Sequence, residues 1–215
     1  MKLFFLFFLA MQISVLPALA GNSAAHPKII ALGDSLTAGY GLPPGEGFVA
    51  KLQKTISDLG ISVEIVDAGV AGDTASQGLA RLDWAVPNDA KAVLLELGAN
   101  DALRGLDPSE TEKALEAILT RLREREIPVL LMGMKAPPNL GSDYQQRFDG
   151  IFPRLAEKFE VSFYPFFLEG VAGNPSLNQD DGMHPNANGV DEIISRLQPF
   201  FVKWLKSNNI VNIAE

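Results

Sequence analysis

The sequence predicts an α/β fold, in which helices cover both faces of one parallel sheet and form a three-layer α/β/α sandwich. From Lys28 onward, short apolar runs alternate strictly with amphipathic helical patterns, which is typical of parallel strands joined by helices. The chain has 215 residues, of which 47% are hydrophobic and 20% are charged, and it shows no internal repeat or linker. We therefore expect a single domain with a sizeable core.

Five apolar runs are interpreted as strands because they are short, rich in Val, Ile and Leu, and bounded by turn signals. They are Lys28–Leu32, Val63–Asp67, Ala92–Leu97, Pro128–Met134 and the shorter Val161–Phe163. Runs of this kind are buried on both faces, so the sheet is expected to lie between layers of helices.

Between and after these strands, apolar residues recur at i, i+3 and i+4, which predicts helices with one buried face. The helices are Phe48–Leu59, Ala75–Val86, Ser109–Glu126, Tyr144–Phe159 and Asn186–Lys206. Ser109 followed by Glu112 resembles a capping box at the start of the third helix. Pro199 is expected to kink the last helix. Gly21–Pro27 and Ser207–Glu215 are predicted to be loose ends.

Met1–Ala20 is predicted to be a secretory leader rather than part of the fold. A lysine near the start, an apolar run over Leu3–Leu16 and the small-residue pattern Ala18-Leu19-Ala20 together fit such a segment. The run is shorter than the ~20 residues that a spanning helix needs. We expect cleavage before Gly21 and an exported protein, in the periplasm or secreted. Without cysteine, the chain can carry neither disulfides nor a lipidated N-terminal cysteine.

The chain is acidic, with a formal net charge of −8 and no basic stripe. That balance argues against nucleic acid as a partner and against electrostatic docking on anionic lipid. We expect a monomer without stable membrane insertion, acting on a small molecule.

Three short motifs lie at strand ends or in loops, where an open α/β sheet places its chemistry. They are Gly33-Asp34-Ser35-Leu36, Gly98-Ala99-Asn100-Asp101 and Asp181-Gly182-Met183-His184. Ser35 is a candidate nucleophile, although a single serine is more often a helix cap or a loop hydroxyl. A serine hydroxyl needs a base within hydrogen-bond reach, and the chain contains 2 histidines.

His184 is the candidate base, because His26 lies in the predicted loose N-terminal segment. Asp181 stands shortly before His184, and a tight turn at Gly182 would bring its carboxylate to the imidazole Nδ1–H. That contact would fix the tautomer that leaves Nε2 free as a base. Asp180 is the alternative carboxylate, and an ordinary surface histidine is the alternative for His184.

Asn100 and Gly72 are candidate donors to an oxyanion. The side-chain amide of Asn100 and the backbone N–H of Ser35 are groups that bind developing negative charge. Gly72, in the loop after the second strand, offers a further N–H at a predicted helix start. The alternatives are an Asx turn or helix cap at Asn100 and an ordinary turn glycine at Gly72.

These motifs, together with the Gly72 loop, resemble the four sequence blocks of the SGNH, or GDSL-type, hydrolases, over about Lys28 to Trp204. The chain is most similar to the branch of periplasmic multifunctional thioesterases, lysophospholipases and arylesterases. It departs from that branch at Ala71, where serine is common, and at Ala99, where glycine is common. Ala99 would crowd the oxyanion loop if its φ were positive.

The resemblance implies a five-stranded parallel sheet in the flavodoxin-like order 2-1-3-4-5. It also implies hydrolysis of acyl esters and thioesters, without a cofactor or a metal. Ser35 would be the nucleophile, His184 the base and then the acid, and Asp181 the residue that orients it. The oxyanion hole would consist of the Ser35 N–H, Gly72 and Asn100.

The loop after the fourth predicted strand is expected to line an acyl groove. In a parallel sheet it emerges at the same edge as Ser35, and the branch that the chain resembles uses the corresponding loop in this way. Its apolar wall would be formed by Met134, Ala136, Pro137 and Leu140. The alternative is a loop that only connects a strand and a helix.

Other classes fit the motifs less well. The glycines after the first strand do not follow G-x-G-x-x-G and no P-loop lysine is present, which argues against a nucleotide-binding module. No G-x-S-x-G elbow surrounds Ser35, which argues against the α/β-hydrolase type. A metal hydrolase could use Asp34, Asp180, Asp181 and His184 as ligands, but the chain offers one well-placed histidine and no paired ligand motif, which argues against this class. A deacetylase for small or carbohydrate esters and a non-catalytic lipid-binding protein on the same fold stay open as alternatives.

Overall fold

A computed structural model describes residues 26–211 of the chain. Within that range, five strands form one parallel sheet in the order β2-β1-β3-β4-β5. The strands are β1 (Lys28–Gly33), β2 (Glu64–Gly69), β3 (Ala90–Glu96), β4 (Val129–Met132) and β5 (Ser162–Tyr164). The predicted fold class and strand order are therefore confirmed. The predicted leader, Met1–Ala20, lies outside the described residues.

Helices cover both faces of this sheet. Among the described residues they are α1 (Ser35–Ala38), α2 (Phe48–Asp58), α3 (Ala75–Ala80), α4 (Leu82–Ala85), α5 (Ala99–Leu103), α6 (Pro108–Glu124), α7 (Ser142–Asp149), α8 (Ile151–Phe159) and α9 (Ala187–Ser207). α2 packs against α9, while α6 packs against α3, α7 and α8. Right-handed crossovers put these two groups on opposite faces. Of the helices within residues 26–211, none has both the length and the apolar character needed to cross a membrane.

The core lies between the layers. β1, β3 and β4 are buried over nearly their whole length, as central strands should be. Phe48 of α2 stands edge-to-face with Phe167 at 4.9 Å between ring centroids, and Phe201 stacks on Trp204 inside α9 at 5.7 Å. These fully buried rings hold α2 and α9 against the sheet.

Three helix predictions need correction. Ala75–Val86 is two helices, because the chain changes direction at Arg81, which ends α3 and begins α4. Tyr144–Phe159 is likewise divided at Gly150, whose missing side chain removes helix propensity. The predicted capping box at Ser109 is wrong, because the carboxylate of Asp107 caps α6 by accepting the Ser109 N–H at 2.8 Å. The last helix continues through Pro199 as one element.

The strand register defines the edge at which the predicted site residues meet. Gly33, the last residue of β1, pairs with Gly69 of β2 and with Glu96 of β3. The segments that follow these three strands therefore leave the sheet side by side. A side chain at Gly33 would collide with Thr37 and Glu96, so this crossing requires glycine.

Candidate active site

Ser35 occupies the sharp turn from β1 into α1. Asp34 caps this short helix, because its Oδ1 accepts the Leu36 N–H at 3.0 Å. The helix ends after one turn at Gly39, whose φ of +69° is a left-handed conformation that glycine adopts without strain. Ser35 is 8% exposed, so its hydroxyl is held at the surface of the core rather than free in a loop.

Ser35, His184 and Asp181 form one hydrogen-bonded chain. His184 Nε2 lies 3.0 Å from Ser35 Oγ, and His184 Nδ1 lies 2.6 Å from Asp181 Oδ2. The Asp181 side chain also accepts the backbone N–H groups of His184 and Met183, at 3.0 and 2.9 Å. Asp181, rather than its neighbour Asp180, therefore contacts the imidazole, and the turn passes through Gly182 with a φ of +68°.

The hydrogen bonds to Asp181 also determine its charge state. The His184 N–H, the His184 ring and the Met183 N–H, in that order, lower the pKa of the Asp181 carboxyl to about 2. Asp181 is therefore a carboxylate at neutral pH, as a partner of an imidazolium must be. The Tyr40 ring packs against the His184 ring, with 4.8 Å between the ring centroids.

The three predicted oxyanion donors are placed differently. Among residues 26–211, the N–H groups of Ser35 and Gly72 have no acceptor, so both are free to bind a ligand. Gly72 has a φ of +88°. Asn100 lies in the first turn of α5, and its Nδ2 donates to Asp34 Oδ2 and to the Asp73 carbonyl, both at 3.1 Å. The amide of Asn100 thus lies near the site, but both of its hydrogen bonds are donated to protein acceptors in this structure. Gly98, rather than Ala99, has the positive φ in this loop.

Two buried carboxyl groups, those of Asp34 and Glu96, support the turn that carries Ser35, and the sequence analysis predicted this role for neither. Glu96, at the end of β3, accepts a hydrogen bond from Thr37 Oγ1 at 2.7 Å and from the Asp34 N–H at 3.3 Å. Burial, with repulsion from Asp34, raises the pKa of Glu96 well above its usual range. Burial also raises the pKa of Asp34 to about 6, opposed by the hydrogen bonds from the Leu36 N–H and Asn100. For Glu96 the available signal was that it is the single charged residue in the predicted apolar run Ala92–Leu97.

The predicted acyl groove is only partly supported. Met134 and Ala136 are buried, at 3% and 6% exposed, so they offer little apolar surface in this structure, and their part in a substrate groove stays a prediction. The cause of this burial is that the chain continues to pair beyond β4, with the Gly133 N–H donating to Tyr164 and the Ala136 N–H to Asp149. Pro137 and Leu140 are partly exposed, and their part in substrate binding stays a prediction.

Apolar surface is present elsewhere around the nucleophile. A small cavity touches both Ser35 and His184; its apolar lining includes Leu36, Leu42, Phe48, Val190 and Ile193. Large apolar side chains are also exposed close to the site residues along the chain: Tyr40, Val70, Leu103 and Met183.

Comparisons with known proteins agree with this arrangement. Residues 31–191 match the model of the GDSL-like Lipase/Acylhydrolase family. The chain is 36% identical over 179 residues to Esterase TesA of Pseudomonas aeruginosa, covering 83% of this chain and 89% of that protein. It is 38% identical over 185 residues to Thioesterase 1/protease 1/lysophospholipase L1 of Escherichia coli strain K12, covering 86% and 84%. The crystal structure of AlinE4, an SGNH-hydrolase family esterase, superposes with a TM-score of 0.71 at 49% identity, covering 84% and 97%.

Proposed function

The chain belongs to the GDSL-like lipase/acylhydrolase family and is a serine hydrolase, and from this premise we propose that it cleaves acyl esters and thioesters through an acyl-enzyme on Ser35. The observation that carries the proposal is the chain of hydrogen bonds from Asp181 through His184 to Ser35 Oγ. A serine hydroxyl becomes a nucleophile only with such a base.

The proposed reaction has two matching halves. His184 Nε2 takes the proton of Ser35 Oγ as the oxygen attacks the acyl carbonyl, and Asp181 stabilises the imidazolium that forms. The N–H groups of Ser35 and Gly72 receive the oxyanion, and Asn100 joins them by giving up one of its two present acceptors. The imidazolium then protonates the leaving alkoxide or thiolate. Water repeats these steps on the acyl-enzyme and releases the acid.

Covalent labelling tests the proposed nucleophile. An alkyl phosphonate ester should inactivate the enzyme and add one phosphonyl group to the peptide that contains Ser35. The Ser35→Ala variant provides the matched control, since it keeps the fold and lacks the hydroxyl. An unlabelled, inactive wild type would instead support the non-catalytic lipid-binding alternative.

The substrate class that we propose is lipid-like or otherwise uncharged acyl esters and thioesters. Two relatives are named as an esterase and as a thioesterase and lysophospholipase, and apolar side chains such as Tyr40, Leu103 and Met183 are exposed near the site.

The dependence of rate on acyl chain length tests this substrate class. Each methylene that the enzyme buries contributes up to ~0.8 kcal/mol. On p-nitrophenyl esters, kcat/KM should therefore rise from acetyl to medium chains. Polar substitution of Pro137 or Leu140 should flatten that rise and leave acetyl turnover nearly intact. A steady fall beyond acetyl would favour a deacetylase of small or carbohydrate esters.

We also propose that the protein is exported, to the periplasm or beyond the cell, and acts as a monomer. The support for export is the leader pattern of Met1–Ala20. Intact-mass analysis of the exported material should find Gly21 as the first residue, and retention of Met1–Ala20 would contradict export with cleavage. Light scattering of the purified protein tests the monomer.

A further inference from the structure

Arg81 lies at the break between α3 and α4, where the sequence predicted one continuous helix. It is 7% exposed, and all three nitrogens of its guanidinium group have partners. Nε lies 2.6 Å from Asp73 Oδ2, Nη1 donates to the Ala68 carbonyl at 2.7 Å, and Nη2 donates to the Gly33 carbonyl at 2.8 Å. One side chain therefore connects the end of β1, the end of β2 and the loop that follows β2.

These partners stand next to the groups that would bind an oxyanion. Gly33 is separated from Ser35 by a single residue, and Asp73 directly follows Gly72. The Asp73 carbonyl also accepts the Asn100 amide at 3.1 Å. Arg81 thus links the segments that carry Ser35 and Gly72, and through Asp73 it is one residue removed from Asn100, although it contacts none of the donor atoms.

A planar guanidinium is suited to this task, because its N–H groups point in fixed directions and it keeps its charge. Burying that charge is costly unless every donor is satisfied, and here Asp73 and two backbone carbonyls satisfy it. The resulting link is stiff. Oxyanion donors work only when they lie within hydrogen-bond distance of the developing charge, so a stiff link at this place has a direct effect on rate.

We propose that Arg81 is a positioning residue that fixes the separation between the Ser35 and Gly72 N–H groups and so sets the geometry of the oxyanion hole. The inference rests on the proposed function. It differs from a purely structural role in one measurable respect: loss of Arg81 lowers kcat without changing ground-state binding.

The experiment compares two variants of this link with a matched arginine elsewhere. Arg81→Lys keeps the charge and loses the planar fork, and Asp73→Asn keeps the backbone and loses the ion pair. Arg125 is the control, because its Nη2 also holds backbone carbonyls, those of Val86 and Pro87 at 2.7 and 3.0 Å, but before the start of β3 and away from the reaction edge.

A misplacement of about 1 Å costs on the order of 10²-fold in rate, so we expect kcat of Arg81→Lys to fall by about that factor. Asp73→Asn should lose about 10-fold, and KM should stay within about twofold in both. Arg125→Lys should lose stability and keep the wild-type kcat. If Arg81→Lys does not fold, Asp73→Asn decides alone.

Three results would overturn the inference: wild-type kcat in a folded Arg81→Lys or Asp73→Asn protein, a rise in KM alone, or an equal loss of kcat in Arg125→Lys. Ser35→Ala separates this failure from failure of the proposed function. If Ser35→Ala is inactive while Arg81→Lys turns over normally, only the role of Arg81 is wrong. If Ser35→Ala stays active, the proposed function itself is wrong.

Discussion

Asp34 and Asp181 both lie close to Ser35, but they belong to two regions that are built differently. Asp34 ends β1 inside the protein and is 0% exposed, and burial raises its pKa to about 6. The Asp181 side chain is 33% exposed in the turn before α9, and neighbouring N–H groups lower its pKa to about 2. The same carboxyl group is thus pushed in opposite directions, by loss of water in one region and by hydrogen-bond donors in the other.

The difference separates two tasks. The region around Asp34 holds the nucleophile and the oxyanion donors through buried contacts with Glu96, Asn100 and Thr37. The exposed turn holds the base through a few local bonds to Asp181. Loss of the His184 ring should therefore affect activity more than stability, while changes in the buried region should affect both.

The largest expected effect comes from removing Ser35 or His184, and it shows whether the two residues act as one catalytic unit. Ser35→Ala and His184→Ala should each lower kcat by roughly 10³-fold or more, and the double variant hardly further, because the pair acts as a unit. Asp181→Ala should cost less than either. His184→Ala should lower the free energy of unfolding less than a change in the buried region does, because the backbone N–H groups that bind Asp181 remain. Activity that survives in Ser35→Ala, or marked unfolding of His184→Ala, would contradict the separation.

Asn100→Ala is expected to have the next largest effect, and it tests the buried region. Its kcat should fall by about 10²–10³-fold with little change in KM, because the amide binds charge that exists mainly in the transition state. The free energy of unfolding should also fall, by ~1–3 kcal/mol, since Asp34 Oδ2 and the Asp73 carbonyl lose their donor. Steady-state kinetics and urea denaturation measure the two losses. A change in KM alone would mean that Asn100 binds ground-state substrate.

The pH dependence of stability is the smallest of the three effects, and its sign distinguishes the two carboxyl groups. Because the pKa of Asp34 is about 6 in the fold against 3.8 ordinarily, the folded protein binds more protons between those values, and stability should fall as pH rises through them. The loss is at most ~3 kcal/mol. Asp181, with a folded pKa of about 2, contributes stability above pH 3.8 that is lost as pH falls towards 2.

Two asparagine variants separate these contributions. Asp34→Asn should reduce the decline in the free energy of unfolding between about pH 4 and pH 6, while Asp181→Asn should reduce the loss on the acid side. Urea denaturation at closely spaced pH values measures both. Identical pH profiles for the two variants would contradict the comparison. Ionisation of Glu96, whose pKa is also raised, acts in the same direction as Asp34.

Parts of the fold and the site were predictable because their signals are local. The apolar run Lys28–Leu32 became β1 with one further residue, and the Asp-x-x-His spacing placed Asp181 against His184. The cap of α6 also has a local signal, since Asp107 precedes Pro108, and this signal prevails over the capping box that Ser109 and Glu112 predict. The incorrect prediction of the cap therefore arose from a choice between two neighbouring sequence signals, and both of them are local.

Other features depend on contacts that no local pattern contains. At the break between α3 and α4, the Arg81 guanidinium bonds to three groups in other segments. Glu96 fits a buried strand by position, and only its contacts with Thr37 and Asp34 explain a carboxyl group there. The burial of Met134 depends on how the chain pairs beyond β4. The periodicity of a sequence can show that a side chain faces the core, but it does not show which groups that side chain contacts.

The hydrogen bond between Ser35 and His184 joins residues that are 149 positions apart in the chain. During synthesis the nucleophile therefore leaves the ribosome long before its base, and β1 can pair before the last turn exists. Refolding in vitro has a similar constraint, because contacts between residues far apart in the chain form more slowly than local ones. During refolding, esterase activity should consequently appear later than the far-UV circular dichroism signal of the helices. Activity therefore reports when folding is complete.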